Sequence, residues 1–319
     1  MIVLDSQYST TRKVTLTPPA MSNGETEKIH SMLFLPETPE RIGQGGLRIE
    51  GYFKKNEINN PPLISVITIV YNGVKYIEQT INSVIGQSYN NVEYIIIDGG
   101  STDGTLDIIK KYEKQIDYWV SESDKGISDA FNKGISLCTG EIIGIINADD
   151  WYETDVFEKI SYNKQYDVIH GQLQYWKDNF KLELFMPNQV GLDKEMTLNH
   201  PTCFVKREVY NKIGDFNCEL KISMDYDFLL RVYRHNMKFH YLPIVIANMR
   251  YCGVSDINWV STYKEVFKVK VKNGINIYFS APYFIYQIVR RCIRIFFGKV
   301  GLQFLVRLYR DKFSIMRKS

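Results

Sequence analysis

From residue 62 onward the chain alternates short unbroken apolar runs with apolar stripes at helical spacing. "ISVITIV" (64–70) reads as a strand buried on both faces, and "VEYIII" (92–97), "DYWVS" (117–121) and the run from Ile142 to Ile146 repeat the pattern. Between them Val74, Ile77, Ile81, Val84 and Ile85 form one helical stripe, and Ile127, Ala130, Phe131, Gly134 and Ile135 form another. A helix after the second run would be capped by Ser101 or Thr102. Four alternations with short links predict an α/β fold: an open, mostly parallel sheet with helices on both faces.

Residues 1–61 lack a sustained period of 2 or 3.6 and carry Pro18, Pro19, Pro36, Pro39 and "QGG" at 44–46. They predict an irregular arm laid over the main domain and closing at Pro61–Pro62. A main domain over 62–262 divides at Asp150 into halves 62–150 and 151–262, and 263–319 form a helical tail. In that tail Ile285, Ile288, Val289, Cys292, Ile293 and Phe296 make one face, with Gln287, Arg290, Arg291 and Arg294 opposite. Leu302, Leu305, Val306, Tyr309 and Phe313 make a second stripe, facing away from Gln303, Arg307 and Arg310. The 17 uncharged residues between Lys272 and Arg290 include Asn273, Asn276, Ser280, Pro282 and Gln287. A spanning helix wants ~20 mainly apolar residues, so the tail is expected to lie on a membrane rather than cross it.

Charge sharpens this division. The net charge is only +3, yet residues 264–319 hold 13 Lys or Arg against 2 Asp or Glu. The basic character therefore belongs to the tail, which predicts docking on an anionic membrane surface through residues 283–313. Packing of the stripes on the main domain or on a sister subunit is the alternative. No nucleic-acid partner is expected. The five cysteines are scattered without metal-ligand spacing, which argues against a zinc site or a disulfide framework and for a reducing compartment. The N-terminus shows no basic stretch followed by an apolar run, so no secretory signal is expected.

In open parallel sheets ligands collect at the carboxyl ends of the strands. There the chain carries Tyr71 and Asn72, then Asp98, then Ser123, Asp124 and Lys125, then Asp149 and Asp150. Neither GxGxxG after the first strand nor GxxxxGK[ST] occurs, so phosphate must be held otherwise. Adjacent carboxylates at the end of a buried strand repel each other unless a cation lies between or beside them. Mg²⁺ or Mn²⁺ carrying a diphosphate supplies that charge. Downstream, Tyr226, Leu229, Leu230 and Tyr233 suggest a helix with one packed face. Asp225 would stand at its start, where the helix dipole favours negative charge, and Asp227 would project elsewhere.

"ISVITIVYNGVKYIEQTINSVIGQSYNNVEYIIIDGGSTDGT", "SDKGISDAFNKGI", "TGEIIGIINADD" and "MDYDFLLRV" together resemble the family 2 glycosyltransferases of the GT-A fold, of the kind found in bacterial surface-polysaccharide clusters. The resemblance covers roughly residues 62–250. It implies inverting transfer of a sugar from a nucleotide-diphospho-sugar to a glycan, lipid-linked in O-antigen, capsule or exopolysaccharide synthesis, at the cytoplasmic face of a bacterial membrane. It gives Asp150 the metal, with Asp149 beside it toward the ribose or metal shell, and stacks Tyr71 on the nucleotide base. Asp98, Asp124 and Lys125 join these as donor-binding residues, His200 falls near the acceptor or the diphosphate, and Asp225 aligns with the general base. Gly99 stands where the family often has a second aspartate that contacts the base, and Met224 where many relatives have glutamate. Two alternatives remain open at this point: a metal-dependent nucleotidyltransferase, and an inactive glycan-binding protein of the same fold.

Overall fold

In a computed structural model, the described residues are 1–5, 9–21, 24, 27–55, 61–251, 258–301 and 304. The second tail stripe therefore lies outside them, apart from a single neighbour, Phe304. The strands are β1 (Ile2–Val3), β2 (Lys13–Val14), β3 (Arg41–Gly45), β4 (Ile64–Val70), β5 (Val92–Asp98), β6 (Tyr118–Glu122), β7 (Ile142–Asn147), β8 (Trp151–Tyr152), β9 (Val168–Lys177), β10 (Phe180–Phe185), β11 (Cys203–Lys206) and β12 (Phe239–Arg250). The α-helices are α1 (Ile77–Ile85), α2 (Thr105–Lys111), α3 (Ile127–Leu137), α4 (Val156–Ser161), α5 (Arg207–Ile213), α6 (Met224–Arg234), α7 (Trp259–Lys272) and α8 (Ile277–Lys299).

One sheet carries the molecule, in the order β3-β6-β5-β4-β7-β11-β9-β12-β8, with β10 paired to β9. Its centre, β6-β5-β4-β7, is parallel. Every residue of β4 and β5 is buried, which is why both read as unbroken apolar runs. Alternate residues feed two cores: Ile64, Val66 and Ile96 join α1, α2 and α4 on one face, while Ile67, Ile69 and Ile97 join α3, α5, α6 and α7 on the other. Beyond β7 the sheet turns mixed, because β11 runs antiparallel between β7 and β9. This mixed flank and β3, which runs antiparallel to β6 at the other edge, depart from the simple parallel pattern.

Three local expectations need correction. Val74 and Ile127 are exposed, not part of their helical stripes. Val74 lies in the turn before α1 and Ile127 is the first residue of α3, and periodicity says nothing about where the first turn closes. The cap of α2 is neither Ser101 nor Thr102: its N-cap is Gly104 in the left-handed region, and Asp103 accepts from the Thr105 amide at 3.0 Å.

Segment 1–61 carries regular structure despite its lack of period. β3 extends the sheet beside β6. Arg48 and Lys54 are buried beneath it, paired with Glu93 at 2.7 Å and Asp117 at 3.4 Å. Removing either partner alone would leave a buried charge uncompensated, so these pairs bind the segment to β5 and β6.

At the other end α7 and α8 pack on the α6 face. α8 docks by its polar side: Ser280 and Gln287 are buried, and Gln287 Nε2 and Arg290 Nη2 reach Glu195 at 3.4 and 3.3 Å. The apolar stripe points away, with Ile285 60% and Phe296 61% exposed and Val289 and Ile293 about half exposed. Among the described residues no helix is long and apolar enough to cross a membrane. Cys138, Cys203, Cys218 and Cys292 are free thiols.

Candidate functional site

Because β4, β5, β6 and β7 are parallel, their carboxyl ends lie along one edge of the sheet, where the loops after β4 and β5 are stitched together. After β4, Asn72 turns through φ 52, its amide donates to Ser101 Oγ at 2.7 Å, and its side chain accepts from the Thr102 amide at 2.9 Å. Tyr71 is thereby thrown outward, 68% exposed.

Asp98 does not reach the surface of this edge. It is fully buried, and its carboxylate accepts from the Ser101 amide at 3.0 Å, from Ser121 Oγ at 2.6 Å and from Ser101 Oγ. Its place is inside the stitching that holds the β4 and β5 loops. Gly99 beside it is a contact point: a Cβ there would lie 2.5 Å from Asp124 Oδ2 and 3.5 Å from the Tyr71 ring. Asp124 therefore occupies the space that a side chain at 99 would fill. Its other oxygen accepts from the Gly126 amide at 2.8 Å, while Lys125 is exposed next to it.

After β7 the two aspartates part company. Asp149 is exposed and Asp150 is 1% exposed. Thr80 of α1 donates to the carbonyls of Ala148 at 2.8 Å and Asp150 at 2.6 Å, fixing the turn. Asp150 Oδ1 accepts from the Arg250 amide at 3.3 Å, and Oδ2 is buried with no hydrogen-bond partner among the described residues. Burial, and then the charge of Asp149, pushes the Asp150 carboxyl well above the usual carboxylate range. An orphaned carboxylate oxygen beside a second, open carboxylate fits a divalent cation. Among the described residues no cluster of three His, Cys, Asp or Glu supplies more ligands, so a cation here would draw the rest of its shell from a ligand and water.

The mixed half of the sheet brings in the remaining groups. β11 pairs antiparallel with β7, Phe204 opposite Gly144, which puts the start of β11 and the preceding His200 at the carboxyl end of β7. Asp225 lies in the first turn of α6, with Oδ2 3.3 Å from His200 Nδ1. The approach to α6 is anchored by Glu265 of α7, which accepts from the amides of Lys221, Ile222 and Ser223 at 3.2, 2.9 and 2.9 Å. Met224 is buried, and Asp227 points away to Arg231 at 2.9 Å and Asn273 at 3.1 Å.

Two neighbours of the site were not legible beforehand. Arg250, at the end of β12, stacks its guanidinium 4.1 Å from the Tyr76 ring and 4.7 Å from the Trp151 ring, and bonds Gln79. Glu265 looks in sequence like any helix-surface acid. Only strand register and helix packing place them, and neither leaves a local pattern.

Residues 65–214 match the family model for glycosyl transferase family 2. A PGL/p-HBAD biosynthesis glycosyltransferase of Mycobacterium tuberculosis H37Rv is 26% identical over 204 residues, 60% of this chain and 78% of that protein. A putative teichuronic acid biosynthesis glycosyltransferase of Bacillus subtilis, TuaG, is 41% identical over 104 residues, 32% of this chain and 41% of that protein. Among solved structures, S. aureus TarS 1–349 in complex with UDP-GlcNAc aligns at TM-score 0.53 and 19% identity, covering 69% of this chain and 70% of that one. The mannosyltransferase PcManGT of Pyrobaculum calidifontis, in complex with GDP-Man and Mn²⁺, aligns at 0.52 and 16%, covering 69% and 66%. The fold is GT-A. The chain carries a family 2 glycosyltransferase domain and is a glycosyltransferase, similar to enzymes of bacterial surface-polysaccharide biosynthesis. Sugar transfer thus takes precedence over nucleotidyl transfer.

Proposed function

We propose that this enzyme transfers a sugar, with inversion, from a nucleotide-diphospho-sugar to a lipid-linked glycan at the cytoplasmic face of a bacterial membrane. What supports this reading is the geometry past the strand ends: Asp124 and the Tyr71 ring both border Gly99, Asp150 is buried beside the exposed Asp149, and Asp225 lies against His200 at the carboxyl end of β7. The similar structures crystallised with UDP-GlcNAc and with GDP-Man and Mn²⁺ support a nucleotide-sugar donor. The relatives named for teichuronic acid and PGL biosynthesis support a surface-glycan acceptor.

In this mechanism Tyr71 stacks on the donor base and Asp124 Oδ2 accepts a hydrogen bond from it. Asp149 and Asp150 would hold Mg²⁺ or Mn²⁺, which would supply positive charge for the departing diphosphate. Asp225 takes the proton of the acceptor hydroxyl as its oxygen bonds to the anomeric carbon and the bond to the diphosphate breaks. Attack from the face opposite the leaving group inverts the centre. α8 lies on the anionic leaflet by its exposed apolar stripe and presents the site to the lipid-borne acceptor.

The test is a screen of UDP- and GDP-sugars for hydrolysis or transfer. Release of nucleoside diphosphate should require Mn²⁺ or Mg²⁺, vanish in EDTA and return on adding metal. Asp225→Asn should lower kcat by about 10² to 10⁴-fold while donor KM stays near normal. Full turnover in chelator removes the metal from the mechanism, and an Asn variant with normal turnover removes the base.

A further inference from the structure

His200 reaches the site through one atom only. Its Nδ1 lies 3.3 Å from Asp225 Oδ2, whereas Nε2 is buried with no hydrogen-bond partner among the described residues. The walls behind the pair are mostly apolar: a small pocket is lined by Ile145, Val205, Phe216, Phe228 and Leu229 together with Cys203 and Tyr210, and the Phe131 ring packs edge-on at 5.5 Å. A proton on Nε2 would be buried facing hydrocarbon, and would leave a bare Nδ1 lone pair against a carboxylate oxygen. The geometry therefore calls for an Nδ1–H imidazole donating to Asp225.

The mount of this ring is stiff. Pro201 follows it in a single turn closed by the Thr202 amide on Asn199 O at 3.0 Å, and Cys203 then enters the sheet. Asp225 has less support. Its side chain is 23% exposed, and among the described residues Oδ1 accepts only from the adjacent Tyr226 amide at 2.8 Å. A carboxylate that must aim one lone pair at a hydroxyl gains from a second, rigid contact that stops it rotating.

We propose that His200 is a positioning residue that orients Asp225, and not a contact to the acceptor. The proposal rests on the reading of Asp225 as the base. It involves no change of bonding at His200, whose proton stays on Nδ1 while Asp225 receives the acceptor proton on its free side.

The full-length chain with His200→Phe, which fills the space without a donor, is compared with His200→Asn, whose amide retains a donor close to the Nδ1 position. Using the nucleotide sugar turned over in the donor screen, with water as acceptor, His200→Phe should lower kcat about 10- to 100-fold at unchanged donor KM, and His200→Asn should recover most of the loss. Independently of activity, ¹⁵N-histidine spectra should show His200, identified among the five histidines by its absence from His200→Phe, as the Nδ1–H tautomer. In Asp225→Ala that signal should move toward the Nε2–H form. Wild-type kcat in His200→Phe, equal losses in both variants, or an Nε2–H tautomer in the wild type each overturn the proposal. If Asp225→Asn instead keeps full turnover, the base reading fails and the positioning role falls with it, while the tautomer result still reports whether the contact exists.

Discussion

Asp149 and Asp150 are neighbours in the chain and opposites in environment, one open to solvent and one nearly sealed. Two carboxylates facing outward together would relax by turning apart. With Asp150 held by the Arg250 amide and the Thr80 hydroxyl, the repulsion is relieved either by a proton on Asp150 or by the charge of a bound cation. Gly99 is the other residue whose meaning lies in its neighbours. A methyl group there meets Asp124 Oδ2 at 2.5 Å, the movable end of a side chain, so Gly99→Ala should push Asp124 aside with little loss of stability. If Asp124 hydrogen-bonds the donor base, donor KM should rise about tenfold with kcat and melting temperature nearly unchanged, measured on the same donor. An unchanged KM takes Asp124 off the donor.

Among the elements, α8 is unusual in burying polar atoms and exposing apolar ones. Its Gln287 and Arg290 converge on Glu195, leaving the Ile285–Phe296 stripe in solvent. Arg290, which in a simple amphipathic reading belongs to the solvent face, thus ties the helix to the domain. Membrane attachment should accordingly depend on the stripe, with the remaining basic residues adding about 1 kcal/mol each near an anionic leaflet. The full chain is expected to sediment with phosphatidylserine-containing vesicles, less so at high salt but not to zero. Ile285, Val289, Ile293 and Phe296 changed together to Gln should abolish sedimentation while leaving melting and donor hydrolysis intact, because these side chains make little contact in the fold. A large drop in melting temperature would instead reveal a subunit covering that face.

At the scale of the molecule, the mixed flank of the sheet carries a buried histidine with consequences for stability. His170 on β9 is 1% exposed, its Nε2 lies 3.1 Å from Gln189 Oε1, and burial lowers its pKa from the ordinary 6.5 to about 4. Between those values the unfolded chain binds a proton that the folded one refuses, so this residue weakens the fold as pH falls from 6.5 toward 4. The full effect is roughly 3 kcal/mol. Asp117, pushed up to about 6 by burial despite Lys54, acts in the opposite sense over an overlapping range. Comparing wild type with His170→Gln by urea denaturation cancels that contribution, since both proteins share it. The variant should gain on the wild type steadily from pH 6.5 down to 4, and parallel curves would contradict the assignment.

What could be read from the sequence, and what could not, follows from how far each interaction reaches along the chain. The β4–β7 core was legible because a strand buried on both faces must be apolar at every position, as Ile64–Val70 is. The strand ends were legible because a parallel strand stops where its polar run begins, which put Tyr71, Asp124, Asp149 and Asp150 just past β4, β6 and β7. The amphipathic stripe of α8 was visible for the same local reason. Direction and depth were not. Whether Asp98 or Asp124 meets the site, which of two adjacent aspartates is sealed, and which side of α8 grips the domain depend on contacts made by residues tens of positions away. The pairing of His200 with Asp225 needs β11 to run antiparallel against β7, and the seat of Arg250 beside Asp150 needs the register of β12. Side-chain pattern encodes the burial of a residue in its own strand or helix, whereas the meeting of two distant side chains is set by sheet order and register, which only the folded chain determines.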